Sequence, residues 1–319
     1  MRLVYTADLH GDIDAYRALL ELAVATGARA AIVGGDLLPR AIRLDQAIEV
    51  QRSFVATRLR PLLAEFRAAR TGIAVYLLAG NDDWAAAIAA LDDLERDGLA
   101  FPLHERVYRL TTTDDRRPAN DQRPTANGRL ATDGERPTMV GSADDLWLAG
   151  YACVPLTPFS IKDYERRDDG PLPAFSFGMA YASWGGEARL VGADAIAERP
   201  SIAEALARLA KQSDPRRTIY VCHTPPADTP LDLMPRGRHV GSRAVRSFVE
   251  RHAPPLTLHG HIHEAPLLSG QYACRIGGTW SVNPGNDQLR FHAVALDTDD
   301  VAGTMSHTIF GRLSEASVT

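Results

Sequence analysis

The sequence predicts an α/β fold. Three observations carry the prediction. Short apolar runs of strand character alternate with longer stretches of helical periodicity through the first hundred residues. Those runs end on Gly, Asp or Asn, residues that turn the chain between elements. No apolar run reaches the length of a membrane span, and no internal repeat is visible.

The elements follow in order. "RLVYTA" reads as a short buried strand ending at Asp8. Asp12 then caps a helix through "AYRALLELAVAT", which Gly27 stops. "ARAAIVGGD" is a second strand, ending at Gly34, Gly35 and Asp36, and residues 44–70 read as one long helical stretch. "GIAVYLLAGNDD" is a third strand, ending at Gly80, Asn81 and Asp82, with a helix expected over residues 84–96. Residues 112–142 are polar, rich in Pro and Gly and without apolar periodicity, which reads as an exposed insertion. Order resumes at "DLWLAGYACVPL". "IAEALARLAKQ" is helical, "RTIYVCHTPP" is a strand running into a loop at His223, and "SRAVRSFVERH" is a helix capped by Ser242. "PLTLHGHIH", "RIGGTWSVNPGN", "QLRFHAVALD" and "TMSHTIFGRL" read as closing strands and turns. With no linker in view, residues 1–319 are expected to form one domain.

Composition narrows the function. The net charge of −5 gives no global attraction to nucleic acid or to an anionic membrane. Cys153, Cys222 and Cys274 are far apart and form no CxxC, so a disulfide framework is not expected. The first residues show no secretory signal, and the expected location is cytoplasmic.

The chemistry concentrates at strand ends. "TLHGHIHEAP" places His259, His261 and His263 at alternate positions, and in an extended chain such residues point to one side. One histidine would read as an ordinary strand residue. Three in five residues lean toward metal, provided that oxygen ligands lie elsewhere. They do: Asp8, His10, Asp36, Asn81 and His223 each stand at the carboxyl end of an expected strand, where sites form in open α/β sheets. Two carboxylates, an amide and four imidazoles can hold two metal ions with one carboxylate shared.

The ordered set "DLHGD", "GGD", "GNDD", "CHTPP" and "GHIH" resembles the calcineurin-like metallophosphoesterases. The segments "GYACVPLTPFSIKDYE", "HTPPADTPLD", "HVGSRAVRSFVE" and "VNPGN" are similar to a bacterial and archaeal branch of that family. The resemblance implies a four-layer α/β/β/α sandwich of two mixed sheets. It places Asp8, His10, Asp36 and His263 on one divalent ion. Asp36, Asn81, His223 and His261 hold the second, with Asp36 bridging and Asn81, Asp82 and His223 nearest the chemistry. The implied reaction is hydrolysis of a phosphate ester by a metal-bridging hydroxide, a diester in preference to a monoester. Manganese is the favoured ion, with iron, zinc and nickel as alternatives for a mixed O/N ligand set. His259 has no ligand role in the family pattern and is expected to be structural.

One position departs from the family. Many members carry histidine after Gly-Asn, assigned to the leaving group or to a phosphoryl oxygen. Here Asp82 stands there, followed by Asp83. An ionised aspartate only accepts hydrogen bonds. Asp82 is therefore a protonated acid, or it orients another group, or the reaction proceeds without this helper. A nuclease is the second reading, with Arg40, Arg43, Lys162, Arg236 and Arg238 as candidate cleft cations. A non-catalytic scaffold is the third, opposed by the complete set of seven ligand positions.

Overall fold

The computed structural model describes residues 1–69, 72–110, 146–170 and 179–313. The insertion expected at residues 112–142 lies outside the described residues.

Two mixed sheets dominate. The first has seven strands. Arg2–Thr6, Ala30–Gly34, Ala74–Leu78 and Phe101–Pro102 run parallel, side by side. Val294–Asp297 joins Arg2–Thr6 antiparallel, followed by Ser306–His307 and Gly311–Arg312. The second has six strands, with Leu146–Tyr151, Thr218–Cys222, Leu256–Leu258 and Thr279–Val282 parallel at its centre. Val107–Leu110 and Ala273–Ile276 close its two edges antiparallel.

The pleat sorts the side chains. Leu3, Tyr5, Ile32, Tyr76 and Leu78 share one core with Leu148, Val221 and Leu258 of the second sheet. Their neighbours Val4, Ala31, Val33, Val75 and Leu77 pack with Leu19, Leu20, Leu59 and Leu63 of the helices. Both faces of these strands are buried, which is why they read as unbroken apolar runs. The Tyr5 hydroxyl donates to the carbonyl of His259 at 2.7 Å and ties the strand beside Asp8 to the histidine loop.

The helix Ile13–Thr26 begins at Asp12, whose carboxylate accepts from the N–H groups of Asp14 and Ala15, and ends at Gly27 with φ 66°. Ser242 caps Arg243–His252 as expected, accepting from Val245 N–H. Three expectations change. The stretch at residues 44–70 is a 3₁₀ turn, Leu44–Gln46, followed by Ala47–Phe54, a π-helical turn Val55–Leu59 and Arg60–Ala69. The helix expected at residues 84–96 is two short ones, Ala85–Ile88 and Leu91–Arg96. Its first N–H groups, from Ala85 and Ala86, are taken by Asp163 and Ser183, so tertiary contacts set its start. The strand before the histidines stops at Leu258, and His261 lies at φ 65°. The three imidazoles therefore do not lie along one strand face. No described helix is long and apolar enough to cross a membrane.

Candidate metal centre

Strand ends from both sheets meet at one place. Asp8 follows Arg2–Thr6, Asp36 follows Ala30–Gly34, Asn81 follows Ala74–Leu78, His223 follows Thr218–Cys222, and His261 follows Leu256–Leu258. The turns are tight. Asp8, His10, Asp36 and His261 all have positive φ, at 60°, 45°, 47° and 65°. Non-glycine residues seldom adopt this conformation, and it collects at sites that need side chains aimed against the run of the backbone.

Asp8, His10, Asp36 and His263 each offer a ligand atom, and these atoms lie within 4.8 Å of one another. Asp36 faces two ways. Its Oδ2 lies 3.9 Å from His10 Nε2, and its Oδ1 lies 3.5 Å from His223 Nε2. Asp8 Oδ1 lies 3.4 Å from His263 Nε2 and 3.9 Å from His223 Nε2. The imidazoles form two pairs, His10 with His263 at 5.2 Å between ring centres and His223 with His261 at 5.3 Å.

Some buried polar atoms in this cluster have no hydrogen-bond partner among the described residues. These are Asn81 Oδ1, His223 Nε2 and His10 Nδ1, all enclosed. Such atoms are costly unless something else binds them. His223 Nδ1 is bonded to the Gly34 carbonyl at 2.9 Å, which turns Nε2 toward Asp36. This mixed set of carboxylate, imidazole and amide donors fits a divalent metal.

The charges within the cluster are strongly linked. Burial works against ionised Asp8, but His263 and His223 hold it below the ordinary carboxylate range. Asp36 is likewise lowered against burial, by His223 and His10. Burial would depress His223, yet Asp36 and Asp8 outweigh it and push it up to about 9. His10 and His261 go the other way. Burial pulls them down to about 4 and about 3, leaving neutral imidazoles.

The sequence reading missed the scaffold around these groups. Asp83 is fully buried and accepts from the N–H groups of Leu37, Leu38 and Gly80 at 3.0, 2.9 and 2.8 Å, stapling the Asp36 loop to the Asn81 loop. Asn286 donates through Nδ2 to the Asp8 carbonyl and through its backbone N–H to the His263 carbonyl. Asn283 Nδ2 donates to the carbonyls of Leu231 and Ile262. The signal for both asparagines was the polar "VNPGN" closing an otherwise apolar strand. His261 N–H is shared between the two oxygens of Asp8, 3.1 Å from each.

His259 stays out of the cluster, as expected. Its Nδ1 faces the carbonyls of Cys222 and Thr224, and its Nε2 meets Thr257 Oγ1 at 2.8 Å. Lys162 does not line a cleft. It is fully buried and paired with Glu165 at 2.7 Å, because its ammonium closes a loop on the Thr157 and Phe159 carbonyls. Arg43 pairs with Asp45. Arg40 does stand beside the cluster, paired with Asp82 at 2.5 Å.

A model of the calcineurin-like phosphoesterase family matches residues 1–265, and the chain belongs to that family. No curated protein matches it. Among solved structures it is similar to TT1561 of Thermus thermophilus, with 18% identity, 97% of this chain and 98% of that one covered, and a TM-score of 0.53. A second structure is 14% identical, with 97% of this chain and 99% of that chain covered and a TM-score of 0.58. At these identities the likeness concerns the fold.

Proposed function

We propose that this chain is a dinuclear metal-dependent phosphodiesterase. The observation that carries the reading is the two-way setting of Asp36, with one carboxylate oxygen toward His10 and the other toward His223. In this reading Asp8, His10, Asp36 and His263 hold one divalent ion, and Asp36, Asn81, His223 and His261 hold the other. Manganese is the proposed ion, ahead of iron, zinc and nickel. Bound there, such ions supply positive charge to phosphoryl oxygens and make water acidic enough to lose a proton near neutral pH.

The protein's own part is placement. Gly34 fixes the tautomer of His223. Asp83 holds the Asp36 and Asn81 loops together. His261 N–H and Asn286 hold Asp8. Such positioning, with charge stabilisation, is most of what phosphoryl chemistry requires.

Two cavities lie among the described residues, and the smaller adjoins the cluster. One of about 580 Å³ is lined by His10, Pro39, Arg40, Asn286, Arg290 and Phe291. It shares His10 with the cluster and has room for an organic group beside the phosphorus. A second, of about 670 Å³, is lined by Arg43, Ile48 and Arg52 and shares no residue with the cluster. The diester is proposed over the monoester, and chromogenic esters of both kinds decide between them. Of the five candidate cations, Lys162 is buried and Arg43 is paired, which weakens the case for the basic groove that a nuclease would use, while Arg40, Arg236 and Arg238 are exposed. Three free, buried cysteines accord with the proposed cytoplasmic location.

The test compares metal-loaded and chelator-treated protein on chromogenic diester and monoester substrates, with single-stranded DNA and RNA alongside. Metal-dependent diester turnover, lost in Asp36→Asn together with bound metal, is the expected result. Metal-loaded protein that leaves the diester intact overturns the proposal, and selective cleavage of the nucleic acids replaces it with the nuclease.

A further inference from the structure

We infer that Arg40 is the phosphoryl-oxygen ligand of this site and that Asp82 is the residue that positions it. The inference rests on the phosphodiesterase reading and deepens it. It gives a role to the aspartate found where many relatives carry histidine.

The geometry is specific. Asp82 Oδ2 accepts from Arg40 Nε and Nη2, both at 2.5 Å. Its other oxygen accepts from Asn81 Nδ2 at 3.2 Å, which turns Asn81 Oδ1 away from Asp82 as an unpartnered, buried acceptor. Asp82 is itself tied in place, its N–H donating to Asp36 Oδ1 at 2.9 Å. Both partners reach His10: Arg40 Nη2 lies 3.4 Å from its Nε2, and Asp82 Oδ2 lies 3.8 Å from its Nδ1. Arg40 also lines the 580 Å³ cavity.

These contacts restrict what each residue can do. Asp82 is turned to Arg40 and Asn81 with both oxygens used as acceptors, so it is set to orient rather than to donate a proton. Arg40 is the opposite case. Its side chain is 56% exposed, while that of Asp82 is 14% exposed. A guanidinium has five N–H donors in a fixed fork. Nε and Nη2 are spent on one carboxylate oxygen, Nη2 also faces His10, and Arg40 lines the cavity. A phosphoryl oxygen at the proposed cation site would stand beside the guanidinium. Planar N–H donors suit it, and the aspartate prepays the ordering of a long side chain.

The experiment uses metal-loaded full-length protein and four variants: Arg40→Ala, Arg40→Lys, Asp82→Asn and the double variant Arg40→Ala with Asp82→Asn. Binding of inorganic phosphate is measured by calorimetry, kcat and KM with bis(4-nitrophenyl) phosphate, and metal content by elemental analysis. Arg40→Ala should weaken phosphate binding and lower kcat/KM by about 10- to 100-fold, the effect of one lost charge-assisted hydrogen bond. Metal content should be unchanged. Arg40→Lys should recover part of the loss, and added guanidinium ion should partly rescue Arg40→Ala. Asp82→Asn keeps an amide oxygen for Asn81 Nδ2 and removes the charge that holds Arg40, so it should cost less, and that cost should vanish in the double variant. Wild-type phosphate affinity in Arg40→Ala overturns the inference. So does an Asp82→Asn cost that persists without Arg40, or loss of metal in Arg40→Ala. If the wild-type protein hydrolyses no ester, the phosphodiesterase reading fails while the phosphate titrations still decide the role of Arg40. Metal-loaded wild-type protein that binds no phosphate overturns that role.

Discussion

Replacing Gly80 with alanine perturbs the candidate centre without replacing any proposed ligand. A Cβ at this position would stand 2.1 Å from Asp36 Oδ1, 2.3 Å from Asp36 N and 2.7 Å from His223 Nε2. Non-bonded atoms settle at about 3.5 Å. Asp36 must therefore retreat by roughly 1 Å or more, and His223 must follow. Asp83, held by Gly80 N–H at 2.8 Å, resists movement of the loop instead. Overpacking of this kind costs about 1–3 kcal/mol, which corresponds to roughly 2–5 °C in melting temperature for a chain of this size. The larger effect falls on function, since a misplacement of about 1 Å at a reacting centre can cost about 10²-fold in rate. The assay compares metal-to-protein ratio, diester hydrolysis, and melting with and without chelator. Wild-type protein should melt higher when loaded, by about 2.7 kcal/mol of stabilisation at a hundredfold excess over Kd. In Gly80→Ala that difference should shrink and hydrolysis should fall. A variant with full metal content and wild-type turnover would refute the placement of Asp36 as the shared ligand.

Other perturbations separate the site from its scaffold. His223 lies raised to about 9, so its contribution to the metal-free fold is complete below about pH 6.5 and is lost as pH rises through about 9. Metal needs the neutral imidazole, so metal affinity should rise across that window and binding should release protons at pH 7.5, from His223 and from His263, which burial would lower but Asp8 raises. Calorimetry in two buffers of different ionisation enthalpy would show it, and identical heats would exclude it. Asp83→Ala strands three buried backbone N–H groups. It should cost about 3 kcal/mol or more in denaturant unfolding, and a loss below about 1 kcal/mol would mean that other groups satisfy them. Lys162→Met leaves Glu165 buried without its partner. A loss of about 3–5 kcal/mol is expected, with diester kcat/KM in the folded protein unchanged. A selective fall in kcat/KM would place Lys162 in the substrate path after all.

Much of the site was legible in the sequence because its information is local. Each proposed ligand stands one to five residues beyond a strand, and strands buried on both faces announce themselves as apolar runs closed by glycine and acid. Asp8, His10, Asp36, Asn81 and His223 could be named from that pattern alone. The three histidines of residues 259–263 were the harder case. Alternation along a strand grouped them together, but the chain leaves the extended conformation after Leu258. The left-handed turn at His261 then separates His259, bonded to two carbonyls in the core, from the two that face the cluster. The break between Ala85–Ile88 and Leu91–Arg96 was equally invisible, because an alanine-rich stretch has every local reason to stay helical; it falls where Arg52 takes the Ala86 carbonyl and Ala90 N–H turns to Ala87. Arg40 and Lys162 looked alike as cations. Tertiary structure buried one against Glu165 and left the other at the mouth of the cluster on Asp82. Residue types and spacings determined which donors the protein owns. Which of them converge, and which charge answers which, depended on contacts between residues 42 and more than 250 positions apart, the first made when neighbouring strands of one sheet pair and the second only once the two sheets have packed.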